Sequence, residues 1–403
     1  MRYRFVFLAL LLAIAVLTGC ALPGLLIVAT PTPTATPHVE TVMVVATPTP
    51  GLLPAGGLPG GLPGGDDIEA RRIAVYQRVA PAVVNVTTQV LRTDFFWGTT
   101  PEEGSGSGFL WDSDGHIVTN FHVINGAQQI EVSFGGDASL PASVVGTDPI
   151  NDLAVLKVNP VPEGVQPVEV GTSTGLHVGQ TAIVIGNPFG QFERTMTQGI
   201  VSALNRTIET DNSTVLRGVI QTDAAINRGN SGGPLLDSSG RLIGVNSAIY
   251  SPTGTSAGVG LAIPVDKVVR VVPVLIKKGR FPHPWLGFEQ MGYEITPELA
   301  QMLNLPVQDG ILIAQFYRGS PAEQAGVRSA QNETIIGNRR YMVGGDILRA
   351  IEGVPLKKWD DLNAYLEEKA AVGQQVVLTI IRGGKEQTLN VTLADMPESL
   401  RGQ

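Results

Sequence analysis

The sequence predicts a mostly β protein: two successive antiparallel barrels, then a smaller α+β module, all behind a non-globular amino-terminal stretch. Three observations carry this. Short runs rich in β-branched and aromatic residues recur from Ala82 to Val158 and again from Pro167 to Pro264, divided by Gly, Asp and Asn turns and not by helical stretches. The 48 glycines and a charged content of 16% suit a loop-rich β fold better than a helical bundle. Past Arg280-Phe281-Pro282-His283-Pro284 the pattern restarts, with strands and one amphipathic helix. At 403 residues and 43% hydrophobic content, there is enough apolar surface for two or three cores.

The amino terminus reads as an export signal. Arg2 and Arg4 precede an apolar run from Phe5 to Leu17, and Leu17-Thr18-Gly19-Cys20 closes it. Those last four residues resemble a bacterial lipobox, in which Cys20, the single cysteine of the chain, would be acylated. An uncleaved anchor helix is the alternative, because apolar residues resume from Leu22 to Val28, although Pro23 and Gly24 interrupt the run. Either way the body is expected outside the cytoplasm, held at the membrane by its front end (residues 1–29). From Thr30 to Gly65, Thr-Pro units and a Gly-Leu-Pro-Gly-Gly repeat cannot supply a packed core and read as a tether; about 45 residues between the coil and polyproline limits reach roughly 40 to 140 Å. One cysteine forbids an intramolecular disulfide. The formal charge of -8 and the lack of a Lys/Arg cluster argue against a nucleic-acid partner.

Order begins at Asp66, which with Glu69 suggests a capping box opening a helix that carries Ile68, Val75 and Val79 and stops at Pro81. Strands are expected over Ala82 to Val90, Gly106 to Trp111, His116 to Asn120 and Ile130 to Ser133, with a hairpin turn over Trp111-Asp112-Ser113-Asp114-Gly115. The second set comprises Gln180 to Ile185, Arg194 to Leu204, Leu216 to Gln221, Leu242 to Ile249 and Gly258 to Ile263. Val265 to Lys278 reads as a helix closed by Gly279, with apolar positions Val265, Val268, Val269, Val272 and Ile276; Pro273 inside it is expected to kink or shorten it.

Chemistry concentrates at three places. In Gly229-Asn230-Ser231-Gly232-Gly233-Pro234 the glycines permit a tight exposed backbone, so Ser231 can act as a nucleophile while neighbouring N–H groups, above all those of Gly229 and Ser231, face one point. His122, in Thr119-Asn120-Phe121-His122-Val123, is flanked on both sides by apolar residues, a setting that suits a general base near neutrality. Asp152, just before the apolar run Leu153 to Leu156, can accept the other imidazole N–H and set its tautomer. Taken singly, each has a plain structural reading: a surface turn, a core histidine, an Asn-Asp turn. Taken together, the order His122, Asp152, Ser231 over two sets of strands is that of the chymotrypsin-type double barrel, with base and carboxylate from the first barrel and nucleophile from the second.

These stretches, with Gly104-Ser105-Gly106-Ser107-Gly108-Phe109, Gly186-Asn187-Pro188-Phe189-Gly190 and Gln221-Thr222-Asp223-Ala224-Ala225-Ile226-Asn227, resemble the HtrA/Deg family of trypsin-fold serine proteases, from about Val79 to Leu393. The resemblance implies a chymotrypsin-like pair of six-stranded β-barrels over residues 66–280. It makes His122, Asp152 and Ser231 the catalytic triad and the N–H groups of Gly229, Asn230 and Ser231 the oxyanion hole. Ile226 would help form a shallow pocket for small aliphatic residues, and no cofactor or metal is needed. Family members are commonly trimers, and Phe95-Phe96-Trp97 would serve such contacts or form a lid.

The last unit, residues 281–396 before a short tail, resembles a PDZ domain through Trp285-Leu286-Gly287-Phe288, Gly319-Ser320-Pro321-Ala322-Glu323-Gln324-Ala325-Gly326 and Gly345-Asp346-Ile347-Leu348. Its Trp285-Leu286-Gly287-Phe288 loop would hold a peptide carboxylate in a backbone nest, beside a helix with Leu362, Tyr365 and Leu366 on one face. Arg328 to Val343 is longer than the tight turn usual there, which suggests a local insertion. The expected function is an endopeptidase acting on unfolded or damaged extracytoplasmic proteins. The alternatives are a PDZ-based holdase or sensor with an idle cleft, and an esterase of the same fold, which would leave the peptide-end module without a purpose.

Overall fold

A computed structural model describes residues 65–94, 98–136, 138–187, 193–209, 215–249, 258–288 and 290–401. The signal with Cys20, the tether before Gly65 and Phe95-Phe96-Trp97 lie outside the described residues. No helix among those described is long and apolar enough to cross a membrane.

Helix α1 (Gly65–Val79) buries Val75 and Val79 but leaves Ile68 55% exposed. The first sheet is built from β1 (Val83–Asp94), β2 (Gly98–Leu110), β3 (His116–Thr119), β4 (Gln129–Ser133), β5 (Leu140–Pro141), β6 (Ser143–Asp148) and β7 (Leu153–Lys157), with the one-turn helix α2 (Phe121–Ile124) after β3. Its pairing order is β5-β4-β1-β2-β3-β7-β6. Among the described residues the first unit therefore has seven strands where six were expected, and its hydrogen-bond ladder is open. It nonetheless curls into a half-barrel for a covalent reason: β5 and β6 stand at opposite edges, yet only Ala142 separates them, and Cα atoms two residues apart span at most about 7 Å. Phe109, Leu110, Ile117, Val118 and Leu153 to Leu156 are all 0% exposed, so both faces of these central strands are covered.

The second sheet comprises β8 (Thr181–Gly186), β9 (Thr195–Glu209), β10 (Val215–Thr222), β11 (Pro234–Leu236), β12 (Leu242–Ile249) and β13 (Gly260–Pro264), closed in the order β10-β13-β12-β11-β8-β9. Ala182, Val184, Val201, Ile220, Leu235 and Ala262 pack inside it. The three-residue β11 is the strand the sequence pattern did not offer, because it follows the nucleophile turn at once and is too short for alternation to register.

Helix α3 (Val265–Lys278) runs its full predicted length through Pro273 and ends on Gly279 at φ 74, whose N–H reaches Leu275 O. Burial of Val265, Val268, Val271, Val272 and Leu275 against the barrels outweighs the break. The carbonyl that Pro273 leaves without an N–H is that of Val269, on the side where Val269 is 43% exposed. Val269 thus faces outward, and Val271 takes the inward place.

The last unit contains β14 (Pro284–Trp285), β15 (Gly292–Glu294), α4 (Pro297–Met302), β16 (Ile311–Ile313), α5 (Pro321–Gln324), β17 (Asn332–Ile336), β18 (Arg339–Val343), β19 (Ile347–Ile351), β20 (Val354–Pro355), α6 (Trp359–Lys369), β21 (Gln375–Arg382), β22 (Lys385–Thr392) and β23 (Ala394–Asp395). The main sheet runs β15-β16-β19-β21-β22, with β15 at an edge. Leu362, Tyr365 and Leu366 of α6 are buried with Ile311, Ile313, Leu378 and Ile380, so all three are core contacts. The long segment between the two motifs is a hairpin, β17 against β18, in register Thr334 to Tyr341. It covers the opposite face, where Tyr293 and Val343 pack on Ile295, Leu312 and Ile347.

Candidate active site

β3 ends at Thr119, and the chain turns into α2, which carries His122 just past the barrel rim. Between β6 and β7 a tight turn, Asn151 N to Asp148 Oδ1 at 3.4 Å, leads to Asp152 at φ 53. That left-handed conformation is one Asp tolerates better than most residues, and it turns the carboxylate back toward α2. His122 Nδ1 lies 2.8 Å from Asp152 Oδ2 and 3.0 Å from Oδ1, and the His122 backbone N–H donates to Oδ1 at 3.0 Å. Asn151-Asp152 is thus a turn that also places the Asp152 carboxylate at the His122 imidazole.

The carboxylate is 8% exposed and the imidazole 37%. Burial alone would lower the His122 pKa, but the Asp152 charge and hydrogen bond override it and hold the imidazole above its usual 6.5. An ionised Asp152 at Nδ1 puts the neutral ring's proton there and leaves the lone pair on Nε2.

Two partners of Asp152 escaped sequence reasoning. Ser247 Oγ donates to Asp152 Oδ2 at 2.5 Å, and Asn120 Nδ2 donates to the Asp152 carbonyl at 2.9 Å. The signal for Ser247 was the buried polar pair Asn246-Ser247 inside the apolar strand β12. The same residue reaches the nucleophile: Ser231 Oγ donates to Ser247 O at 2.9 Å. His122, Asp152 and Ser231 are thus brought together, through Ser247, at the meeting of the two barrels.

Ser231 sits beyond a turn closed by Asn230 N to Asn227 O at 3.0 Å, with Gly229 at φ 98. A positive φ at the third position alone makes this a type II turn, and only glycine takes it without strain. Because the Asn230 N–H closes the turn, it drops out of the expected donor trio, which leaves Gly229 and Ser231. Gly232 is required by close approach: a Cβ there would meet Ser107 O at 2.1 Å. Ile226 is 1% exposed in the second barrel's core, against Gly260, so it offers a substrate little surface.

In the last unit Trp285, Leu286 and Phe288 are buried, and Gly287 takes φ 100 where a Cβ would strike Ser320. The Leu286 and Gly287 carbonyls accept from Ala322 N at 2.9 Å and Tyr317 N at 2.8 Å. The side chains of this loop are therefore core, and only its main chain can face a peptide.

Residues 106–245 match the trypsin-like peptidase domain and residues 291–393 the PDZ domain. The chain is 40% identical over 333 residues to Protease Do-like 1, chloroplastic, of Arabidopsis thaliana, covering 82% of this chain and 73% of that one. It is 39% identical over 343 residues to Protease Do-like 8, chloroplastic, of the same plant, covering 81% and 74%. Among solved structures, the HtrA-type protease AlgW with decapeptide superposes with a TM-score of 0.66 at 33% identity, over 80% of this chain and 98% of that one.

Proposed function

The chain belongs to the HtrA/Deg family of trypsin-fold serine proteases carrying one PDZ domain, and on that premise we propose that it is an endopeptidase of extracytoplasmic protein quality control. Ser231 attacks the scissile carbonyl, His122 Nε2 takes the proton and returns it to the leaving amine, and Asp152 keeps the imidazole in the required tautomer. The Gly229 and Ser231 N–H groups hold the oxyanion, and water then releases the acyl-enzyme. The observation that carries this reading is the hydrogen-bonded series His122, Asp152, Ser247, Ser231. In its resting form the Ser231 hydroxyl donates to Ser247 O, and it must turn about the Ser231 Cα–Cβ bond to address His122 Nε2.

Substrates are unfolded or damaged proteins. The PDZ domain takes peptide carboxy termini by strand addition at the β15 edge, with main-chain groups of Trp285 to Phe288 at the carboxylate. A solved relative described as holding a decapeptide supports peptide binding. The amino-terminal signal, by acylated Cys20 or an uncleaved helix, anchors the chain at the membrane, and it assembles as a homotrimer through its protease domains.

Cleavage of reduced casein tests the reading, with Ser231→Ala and a serine-directed acylating reagent alongside. Cleavage by the parent alone, stopped by the reagent, is expected. If the parent is neither acylated nor active while still binding peptides with free apolar carboxy termini, the chain is a PDZ-based binding protein.

A further inference from the structure

We propose that Ser107 is a positioning residue for the two oxyanion donors, holding from the first barrel the peptide unit that joins them in the second. The proposal rests on the protease reading of Ser231 given above.

Ser107 lies on β2 at 0% exposure, yet it belongs to neither the triad nor the donor pair. Its N–H donates to Ser231 O at 2.8 Å, and its hydroxyl donates to Gly229 O at 2.5 Å. The hydroxyl also accepts from Asn187 N–H at 2.9 Å, and the Ser107 carbonyl accepts from Thr119 Oγ at 2.7 Å. Ser107 therefore touches the nucleophile turn on both sides of Asn230, the end of β8 and the strand leading to His122.

The three peptide units around Asn230 explain what the hydroxyl does. The Gly229 N–H belongs to the first unit and the Ser231 N–H to the third. The middle unit, Gly229 to Asn230, is held at both ends: its N–H by Asn227 O at 3.0 Å and its carbonyl by Ser107 Oγ. Each outer unit connects to the middle one through a single Cα, so fixing the middle unit removes its own rotation and leaves the two donors only the dihedrals at Gly229 and Asn230 to vary. A serine hydroxyl has one proton. With Asn187 N–H donating into the oxygen, that proton is directed at Gly229 O. Without the hydroxyl, a buried carbonyl and a buried N–H lose a partner together, and the unit between the donors is held only at its N–H end, by Asn227 O.

A plain filler between Gly106 and Gly108 would behave differently, since losing it lowers stability without separating turnover from binding. The test uses the full chain, a chromogenic peptide amide, and a peptide aldehyde whose hemiacetal oxygen occupies the oxyanion position. Ser107→Ala is expected to lower kcat by about 10- to 100-fold, short of or equal to the loss of one whole donor, with KM within twofold. Aldehyde affinity should fall by the same factor as kcat. Ser107→Thr, where the hydroxyl returns, should recover much of both. If Ser107→Ala does not fold, Ser107→Cys, which keeps the volume and a weak donor, is read in the same way. Unchanged kcat and aldehyde affinity overturn the proposal, as does a loss of kcat and KM together that tracks the melting temperature. Failure of the parent to be acylated at Ser231 marks instead the failure of the protease reading.

Discussion

Ser247 Oγ on β12 of the second barrel donates to Asp152 Oδ2 on the first at 2.5 Å, while the carbonyl of the same residue receives the Ser231 hydroxyl at 2.9 Å. One residue therefore supports the carboxylate and parks the nucleophile. Ser247→Ala removes only the first contact. A hydrogen bond to a buried charge contributes about 2 kcal/mol, so unfolding free energy should fall by about that much in denaturant titrations. The carboxylate then concentrates its charge on His122, and the acid limb of the kcat/KM profile should move to higher pH.

The pH profile of the parent follows from His122. Protonated imidazole cannot accept the Ser231 proton, so activity should fall as pH drops through a His122 pKa held above 6.5. The stability contribution has the opposite direction. A folded pKa above the unfolded value means the His122 to Asp152 pairing contributes fully below the unfolded pKa and fades as pH rises through the folded one. Asp152→Asn removes the charge and the tautomer control together, so kcat should fall by about 10⁴, with the upward shift abolished. Rate profiles and imidazole NMR titration measure the two sides separately.

Much of this was legible because it is local. Strands β1, β3, β4 and β12 showed in the recurrence of β-branched residues, the proposed triad in three short motifs, and α3 in its spacing up to Gly279. What was hidden depends on contacts distant along the chain. Ser247 meets Asp152 across 95 positions, and Ser107 meets Gly229 across 122. No window of sequence contains either pair, and a serine in a strand carries no periodic signal. The commitment of the Asn230 N–H was hidden for another reason, since Gly-Asn-Ser-Gly is compatible with several turn types and only the φ of Gly229 selects one.

Gly229→Ala tests that turn. A Cβ at φ 98 is strained by about 1–2 kcal/mol, which favours the type I form and turns the Gly229 N–H away. Loss of one oxyanion donor should lower kcat by roughly 10²–10³ with KM little changed. Steady-state kinetics on a peptide amide reads this directly.

His283, in the segment leading out of the barrels, makes a buried contact with Asp148: Nε2 to Oδ1 is 2.7 Å, with side-chain exposures of 6% and 1%. Asp148 also holds Asn151 Nδ2 at 2.7 Å, one residue before Asp152. His283→Ala leaves that carboxylate with one fewer partner in a dry site. It should cost about 3 kcal/mol in chemical denaturation, and it should lower kcat as well, because the Asp152 turn loses its backing.

Ion pairs join the PDZ domain to the protease body around a cleft of about 850 Å³. Arg217 reaches Asp360 at 3.3 Å and Glu367 at 4.0 Å, while Lys267 reaches Glu367 at 3.3 Å. Arg217, Lys267 and Glu367 side chains are only 15–16% exposed, so these pairs are screened less than surface pairs, yet they remain within reach of salt. Both acidic partners lie on α6, the helix packed over the sheet face that β15 borders. Glu367→Gln leaves Lys267 facing a neutral amide and Arg217 with Asp360 as its one carboxylate, and should loosen the docking. Small-angle scattering of the variant at low ionic strength should resemble that of the parent at high ionic strength, with a larger radius of gyration than the parent at low salt. If both proteins keep one compact profile from low to high salt, apolar contacts hold the domains and the ion pairs are incidental.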